Sequence, residues 1–362
     1  MFKLNLAWDK EPEFISADNG NNLTASIVIP ARNEENVIEN ILTSLLHQQT
    51  SGKWEVIVSD DFSDDNTAIV VSGYIEKFKN KGVNLHLITP GKEDGIGKKA
   101  ALSRGILAAS GELIITTDAD CVVPERWLST ILSFQMNTNA SMILLPVELA
   151  PVTNFFTGFQ ALEFAGLMGS GAASMFRNKP LMSNGAGLVF LKSDFVETGG
   201  YSGGDKYVSG DDTFLMFSFL QNGKKKIQFL KSRNAIVSAA PVHTLGLFIQ
   251  QRIRWISKVK GYKQHTPLIT GLRVSLANVS LLGLIILALS GTVDPLLPLG
   301  AFVIKSFFEF ILLYHVSSFL GRRKLLLLFL PSALIVLFYF MFSLWFLLFP
   351  ATFQWKNRSF KN

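Results

Sequence analysis

Beyond Pro267 the chain becomes a nearly unbroken run of Leu, Ile, Phe and Val, and a run of that length dictates where the segment can go. Three blocks stand out, at 268–291, 297–320 and 325–349. At ~1.5 Å per helical residue each is long enough to cross a hydrocarbon core of ~30 Å. A buried core helix suits shorter stretches. The second block carries Lys305, Glu309 and His315; Lys305 and Glu309, four apart on one helical face, are spaced to pair. Charges inside a span usually face protein or a water-filled cavity. The chain average of 48% hydrophobic residues hides this gradient, because up to about Gln264 the sequence mixes charge and apolar residues as a soluble domain does. At 362 residues the chain holds one large domain plus a membrane appendage.

Basic residues set the expected orientation. Arg322-Arg323-Lys324 joins the second and third blocks, and Lys258, Lys260 and Lys263 precede the first. The positive-inside rule puts both groups, and so the large N-terminal domain, on the cytoplasmic side. The tail 355–361 is also basic, and an odd number of spans would carry it across, so charge pattern and span count disagree there. Residues 1–22 are polar and lack the apolar core region of a signal peptide. The net charge of +6 comes from scattered residues, and those near the spans suit anionic headgroups better than nucleic acid. Cys121 is the single cysteine, which excludes an internal disulfide or a cysteine metal cluster.

The soluble part alternates strand and helix. Ser26–Pro30 reads as a buried strand, and Val37, Ile41, Leu42, Leu45 and Leu46 give the next segment helical periodicity. A second strand ends at Ser59, Ser63-Asp64-Asp65 offers caps to a helix running to about Asn80, and 83–88 is a third strand. A helix over 98–109 stops at Gly111, and 113–117 is the fourth strand. That order predicts an α/β fold with a largely parallel sheet and right-handed crossovers.

Three acidic signatures follow these elements: Asp60-Asp61, Asp118-Ala119-Asp120 and Asp211-Asp212. Carboxylates at strand C-termini of an open α/β sheet face the ligand crevice, and an Asp-x-Asp pair there suits a divalent cation carrying a diphosphate. A dinucleotide-binding Rossmann domain would need Gly-x-Gly-x-x-Gly after the first strand, where the chain has Pro30-Ala31-Arg32-Asn33-Glu34-Glu35. A P-loop reading of Gly97-Lys98-Lys99 fails because Lys92 stands where glycine is required and Lys99 replaces Ser or Thr. Read alone, Asp211-Asp212 caps a helix over 213–221, and Lys98-Lys99 is a solvated helix start.

Together with Gln251-Arg252-Ile253-Arg254-Trp255, these residues resemble the family 2 glycosyltransferases, inverting enzymes of the GT-A fold with a Rossmann-like mixed sheet. The resemblance covers about 25–255, and the downstream spans are similar to those of membrane-bound members such as synthases of cellulose, hyaluronan and chitin. It implies nucleotide-sugar contacts for Pro30, Arg32, Glu34, Asp60, Asp61, Lys98 and Asp118, with a uracil-binding role on Asp61 or Asp60. It implies Mg²⁺ or Mn²⁺ on Asp120, with Asp118 at the metal or its water shell. Asp212 becomes the expected general base, with Asp211 beside it. Gln251, Arg254 and Trp255 would fall on an interfacial helix near 243–262, Arg254 at the diphosphate and Trp255 lining the acceptor pocket; without catalysis the same helix is merely amphipathic at the membrane. The loop 182–188 with Gly199-Gly200-Tyr201 resembles the acceptor side, and 155–176 is expected on the membrane surface. Ala239-Ala240-Pro241 departs from the acidic residue common before that proline.

The organisation implied is an N-terminal extension to 24, a catalytic domain over 25–265, a membrane region over 268–350 and a basic tail over 351–362. The function implied is a cytoplasm-facing integral membrane glycosyltransferase that uses a nucleotide-sugar donor, a lipid or glycan acceptor and no nucleic acid. A processive polysaccharide synthase is the alternative; a nucleotidyltransferase and a non-catalytic scaffold are the remaining readings.

Overall fold

In a computed structural model the structure describes residues 1–16, 23–91, 93–201, 210–221, 223, 225–262, 264–349, 352–355 and 358–361. Lys92 of the rejected P-loop pattern, and Lys263 and Lys356 of the basic clusters, lie outside the described residues. The chain forms two compact units: one of 1–11, 151–181 and 241–362, which opens with α1 (Phe2–Lys10), and one of 12–150 and 182–240.

The second unit is built on a seven-stranded sheet. Its first half runs β1 (Thr24–Ala31), α2 (Ile38–Leu46), β2 (Lys53–Asp60), α3 (Thr67–Lys79), β3 (Asn84–Ile88), α4 (Lys98–Ala108) and β4 (Leu113–Thr116). Then come β5 (Cys121–Val122), α5 (Trp127–Thr138), β6 (Met142–Leu144) and β7 (Val147–Leu149). After the excursion into the other unit follow β8 (Leu188–Leu191), α7 (Lys192–Glu197), α8 (Asp211–Gln221), β9 (Ile227–Phe229) and β10 (Val237–Ala239).

Strand order is β3-β2-β1-β4-β8-β6-β9, with β5-β10-β7 a separate small sheet. The four strands β3, β2, β1 and β4 are parallel, as the alternating pattern predicts. β8 runs antiparallel to both β4 and β6, so the sheet is mixed. β1 lies between β2 and β4 and is buried on both faces from Ala25 to Ile29, which is why it reads as a continuous apolar run. Edge strand β3 instead exposes Asn84 and His86 and buries Leu85. Parallel pairing brings the carboxyl ends of β1, β2 and β4 to one edge of the sheet, followed respectively by Arg32, Asp61 and Asp118.

At the opposite end, Glu55 Oε1 accepts hydrogen bonds from Ser26 Oγ, Ser110 N and Ser110 Oγ at 2.5, 2.7 and 2.8 Å, tying β1 and β2 to the turn before β4. Burial alone would raise the Glu55 carboxyl; these hydrogen bonds outweigh it and hold the group below its ordinary value. Gly111 in that turn packs directly on backbone: a Cβ there would lie 2.7 Å from Ala25 C and Ser26 N.

The other unit gathers α1 with α6 (Phe155–Met175), α9 (Leu245–Ser257), α10 (Thr266–Leu289), α11 (Leu296–Phe319) and α12 (Phe329–Leu348), and a short hairpin of β11 (Thr352–Trp355) and β12 (Arg358–Lys361). Three helical stretches, Thr266–Leu289, Leu296–Phe319 and Arg323–Phe346, are long and apolar enough to cross a membrane. Lys305 Nζ and Glu309 Oε2 pair at 2.7 Å, so the second stretch carries its charges compensated. Segment 155–176, expected on the membrane surface, is instead a largely buried helix of this unit. Its small residues explain that: a Cβ on Gly169 would lie 2.4 Å from Val316 Cγ2 of α11, so glycine lets the two helices approach closely. The N-terminal residues also pack here, with Asn5 donating to Phe308 O at 3.1 Å and Trp8 buried against the rings of Phe176 and Phe319.

Gly111→Ala is expected to destabilise the sheet unit by about 1–3 kcal/mol, since backbone cannot yield as a side chain can. A denaturation midpoint within error of the parent would refute the close packing of that turn on β1.

Candidate active site

The acidic signatures meet at the start of α4. Gly97, at φ +104°, turns the chain into the helix, and its N–H donates to Asp61 Oδ1 at 2.7 Å. The next residue, Lys98, reaches Asp118 Oδ1 at 2.5 Å. A Cβ on Gly185 would lie 3.3 Å from Lys98 Nζ and 3.7 Å from both Asp211 Oδ2 and Asp212 Cβ, so the second and third signatures converge within one unit. Burial would depress the Lys98 ammonium, but Asp118, Asp211 and Asp212 raise it well above the ordinary lysine value. It is a fixed cation.

The surrounding loops are held by backbone contacts. Arg32 Nη1 donates to the carbonyls of Asp61 and Phe62 at 2.6 and 2.8 Å. Arg104 on α4 donates to Asp60 O at 2.6 Å and Gly95 O at 2.9 Å, pinning the loop before Lys98. Asp60 Oδ2 accepts from Ser63 N at 3.0 Å, whereas its buried Oδ1 has no hydrogen-bond partner among the described residues. Pro30 pairs in register with Ser59 near the end of β1, and Glu34 donates its N–H to Thr67 Oγ1.

Asp211 and Asp212 open α8 and are both buried. Asp212 Oδ2 accepts from Gly185 N at 3.1 Å and Oδ1 from Thr213 N at 2.7 Å. The two N–H groups fix the plane of the Asp212 carboxylate at the start of the helix. Tyr201 also faces this cluster. Burial, then the charges of Asp211, Asp212 and Asp118, push its phenol well above the ordinary value.

Among the described residues no three His, Cys, Asp or Glu side chains form a self-contained metal cage. The donor set nevertheless fits Mg²⁺ or Mn²⁺, which are commonly held by one or two carboxylates plus substrate phosphates. Asp120 is exposed just past β4, and the Asp118 side chain keeps 32% of its surface.

Gln251, Arg254 and Trp255 stand on α9 in the other unit, where Trp255 packs near Phe164 with centroids 6.0 Å apart. Sequence reasoning gave no role to Arg104 or to the buried Arg252 beside Gln251, and placed Gly185 in the acceptor-side loop without foreseeing its contact with Asp212. Only Arg252 carried a signal, as a charge on the apolar face of an amphipathic helix.

A mixed sheet of this order, with acids at the carboxyl ends of its parallel strands, defines an α/β protein of the GT-A class. A solved structure with that fold, the mannosyltransferase PcManGT from Pyrobaculum calidifontis in complex with GDP-Man and Mn²⁺, is similar over 92% of this chain and 95% of that one, at TM-score 0.55 and 17% identity. The model of the glycosyl transferase family 2 matches residues 26–193, and that of the glycosyl transferase family group 2 matches residues 113–355. The chain belongs to the family 2 group of glycosyl transferases. Among curated relatives, the 4,4'-diaponeurosporenoate glycosyltransferase of Staphylococcus aureus strain USA300 is 30% identical over 194 residues, and that of strain MRSA252 is 28% identical over 194. These matches cover 52% of this chain and 50% of each relative, so the chain spans about half the length of the curated relatives it matches.

Two outcomes follow from this geometry. Lys98→Met strands the carboxylates and should cost about 1–3 kcal/mol of stability. A raised lysine stabilises the fold at every pH below its unfolded value near ~10.4 and loses that contribution only as pH rises through the raised folded value, so the deficit should be constant from about pH 6 to 9. A deficit that vanished within that window would contradict the pairing. Cys121 is buried, and burial followed by Asp118 and Asp120 pushes its thiol well up. The native protein should therefore take up no maleimide at neutral pH, while denatured protein takes up one per chain; rapid native labelling would contradict this burial.

Proposed function

We propose that this chain is a membrane-associated, inverting glycosyltransferase. It moves a sugar from a nucleotide donor, read as UDP-linked, to a lipid or lipid-linked acceptor at the cytoplasmic membrane face. The observation that carries the reading is the convergence of Asp118, Asp211 and Asp212 on Lys98 beside the carboxyl ends of parallel strands. A crevice at that position is where open α/β sheets bind nucleotides. Family membership and the three membrane-length helices agree with it.

In this mechanism Asp212 accepts the proton of the acceptor hydroxyl. The hydroxyl oxygen attacks the anomeric carbon from the face opposite the nucleotide. The bond to the diphosphate breaks, and its electron pair leaves with the diphosphate. Gly185 N and Thr213 N hold the base in one orientation throughout. Lys98 supplies positive charge beside the leaving group without changing its own protonation state, and Asp61 or Asp60 reads the base of the nucleotide. Asp120 and Asp118 would hold Mg²⁺ or Mn²⁺, which supplies charge neutralisation at the diphosphate. Arg254 is assigned to diphosphate oxygens, with Gln251 among the donor-binding residues and Trp255 lining the acceptor pocket.

Membranes containing the chain, given labelled nucleotide-sugars with Mn²⁺, should put label into the organic phase. Asp212→Asn should keep donor binding and lose transfer by about 10²–10⁴-fold, the range a positioned base contributes. Asp120→Ala should weaken metal-dependent donor binding. Normal transfer by Asp212→Asn would overturn the assignment of the base; label only in large water-soluble material would overturn the lipid acceptor.

A further inference from the structure

Of the ionic contacts in the helical unit, one joins α9 to α6 beside Gln251 and Trp255, and the proposed chemistry does not use it. Arg252, on α9, is 1% exposed, and its Nη2 donates to Glu163 Oε2 of α6 at 2.5 Å. Burial raises the Glu163 carboxyl, while Arg252 and a hydrogen bond with Tyr339 of α12 act the other way. Glu163 is the lone charge of a 21-residue apolar helix, where an unpaired carboxylate would be costly.

The same guanidinium touches two of the three residues assigned to the acceptor and donor. Its Nη1 donates to Gln251 Oε1 at 3.3 Å. Its guanidinium carbon lies over the Trp255 ring, 4.2 Å from the centroid, and over the Phe248 ring at 4.5 Å. Arginine suits this place because one flat cation can be stacked, ion-paired and hydrogen-bonded at once; lysine can pair but cannot stack in the same way. Phe248, Arg252 and Trp255 lie one helical turn apart, so these contacts run along one face of α9.

The geometry points to Arg252 and Glu163 as positioning residues that fix the Trp255 ring for the acceptor and the Gln251 amide for the donor. Neither touches substrate; both act through Trp255 and Gln251. This inference rests on the glycosyltransferase reading for its kinetic consequence, and on the contacts alone for its structural one.

The test uses full-length protein in nanodiscs. Trp255 is read as the difference in acrylamide quenching between a parent and the same protein carrying Trp255→Phe. Glu163→Gln and Arg252→Lys should each make Trp255 at least twofold more quenchable, with helix content by circular dichroism unchanged. With the donor that labels wild-type membranes, both should lower kcat about tenfold while donor KM stays within threefold. Glu163→Asp, which keeps the charge, should recover part of kcat. Unchanged quenching in both variants would overturn the positioning role, as would altered quenching with normal kcat. Failure of the glycosyltransferase reading appears separately, as a wild type that transfers no sugar from any donor, and the quenching readout still decides whether the pair fixes Trp255.

Discussion

The ammonium of Lys98 lies among three carboxylates drawn from two distant stretches of chain, and the order of the sheet unit follows from that meeting. Asp118 arrives at the end of β4, and Asp211 and Asp212 arrive with α8. Without a cation between them these acids would repel one another in a half-buried site. The lysine is set there by the turn at Gly97, whose own N–H is bound by Asp61. One helix start therefore joins all three acidic signatures. Gly185 completes the arrangement by leaving room for the lysine and giving its N–H to Asp212.

The helical unit solves a different problem, that of placing polar groups within very apolar surroundings. Two of its ion pairs lie among apolar helices: Lys305 with Glu309, and Arg252 with Glu163. The first joins residues one turn apart, which any helix can do. The second crosses from α9 to α6, and so fixes the rotation of one helix against another. Glycines on α6 let α11 and the segment near Leu328 come close, giving that pair a tightly packed setting.

The legible parts of this molecule were those governed by local pattern. The parallel strands could be read because β1, β2 and β4 are short apolar runs between amphipathic helices and turn residues. The three apolar blocks lie within a few residues of the helices found, since length and composition decide such segments. The antiparallel β8 was not legible, because strand direction depends on a crossover through the other unit. Nor was the burial of 155–176 legible, since small residues read alike on a surface or in a tight interface. At the site, motif order led to carboxylates that the fold brings together, Asp118 with Asp211 and Asp212. The partnership of Lys98 could not be read that way, because a lysine at a helix start is ordinarily solvated and its acidic partners stand about 20 and 110 residues away.

The central claim is that a single displacement at the anomeric carbon is driven by one carboxylate base, Asp212. Its most direct test is the anomeric configuration of the first product, read from the anomeric proton coupling by nuclear magnetic resonance. A donor with an α-linked sugar should give a β-linked product, because one attack from the face opposite the nucleotide inverts that centre. An α-linked product would require a second displacement or attack from the same face, and would contradict the account.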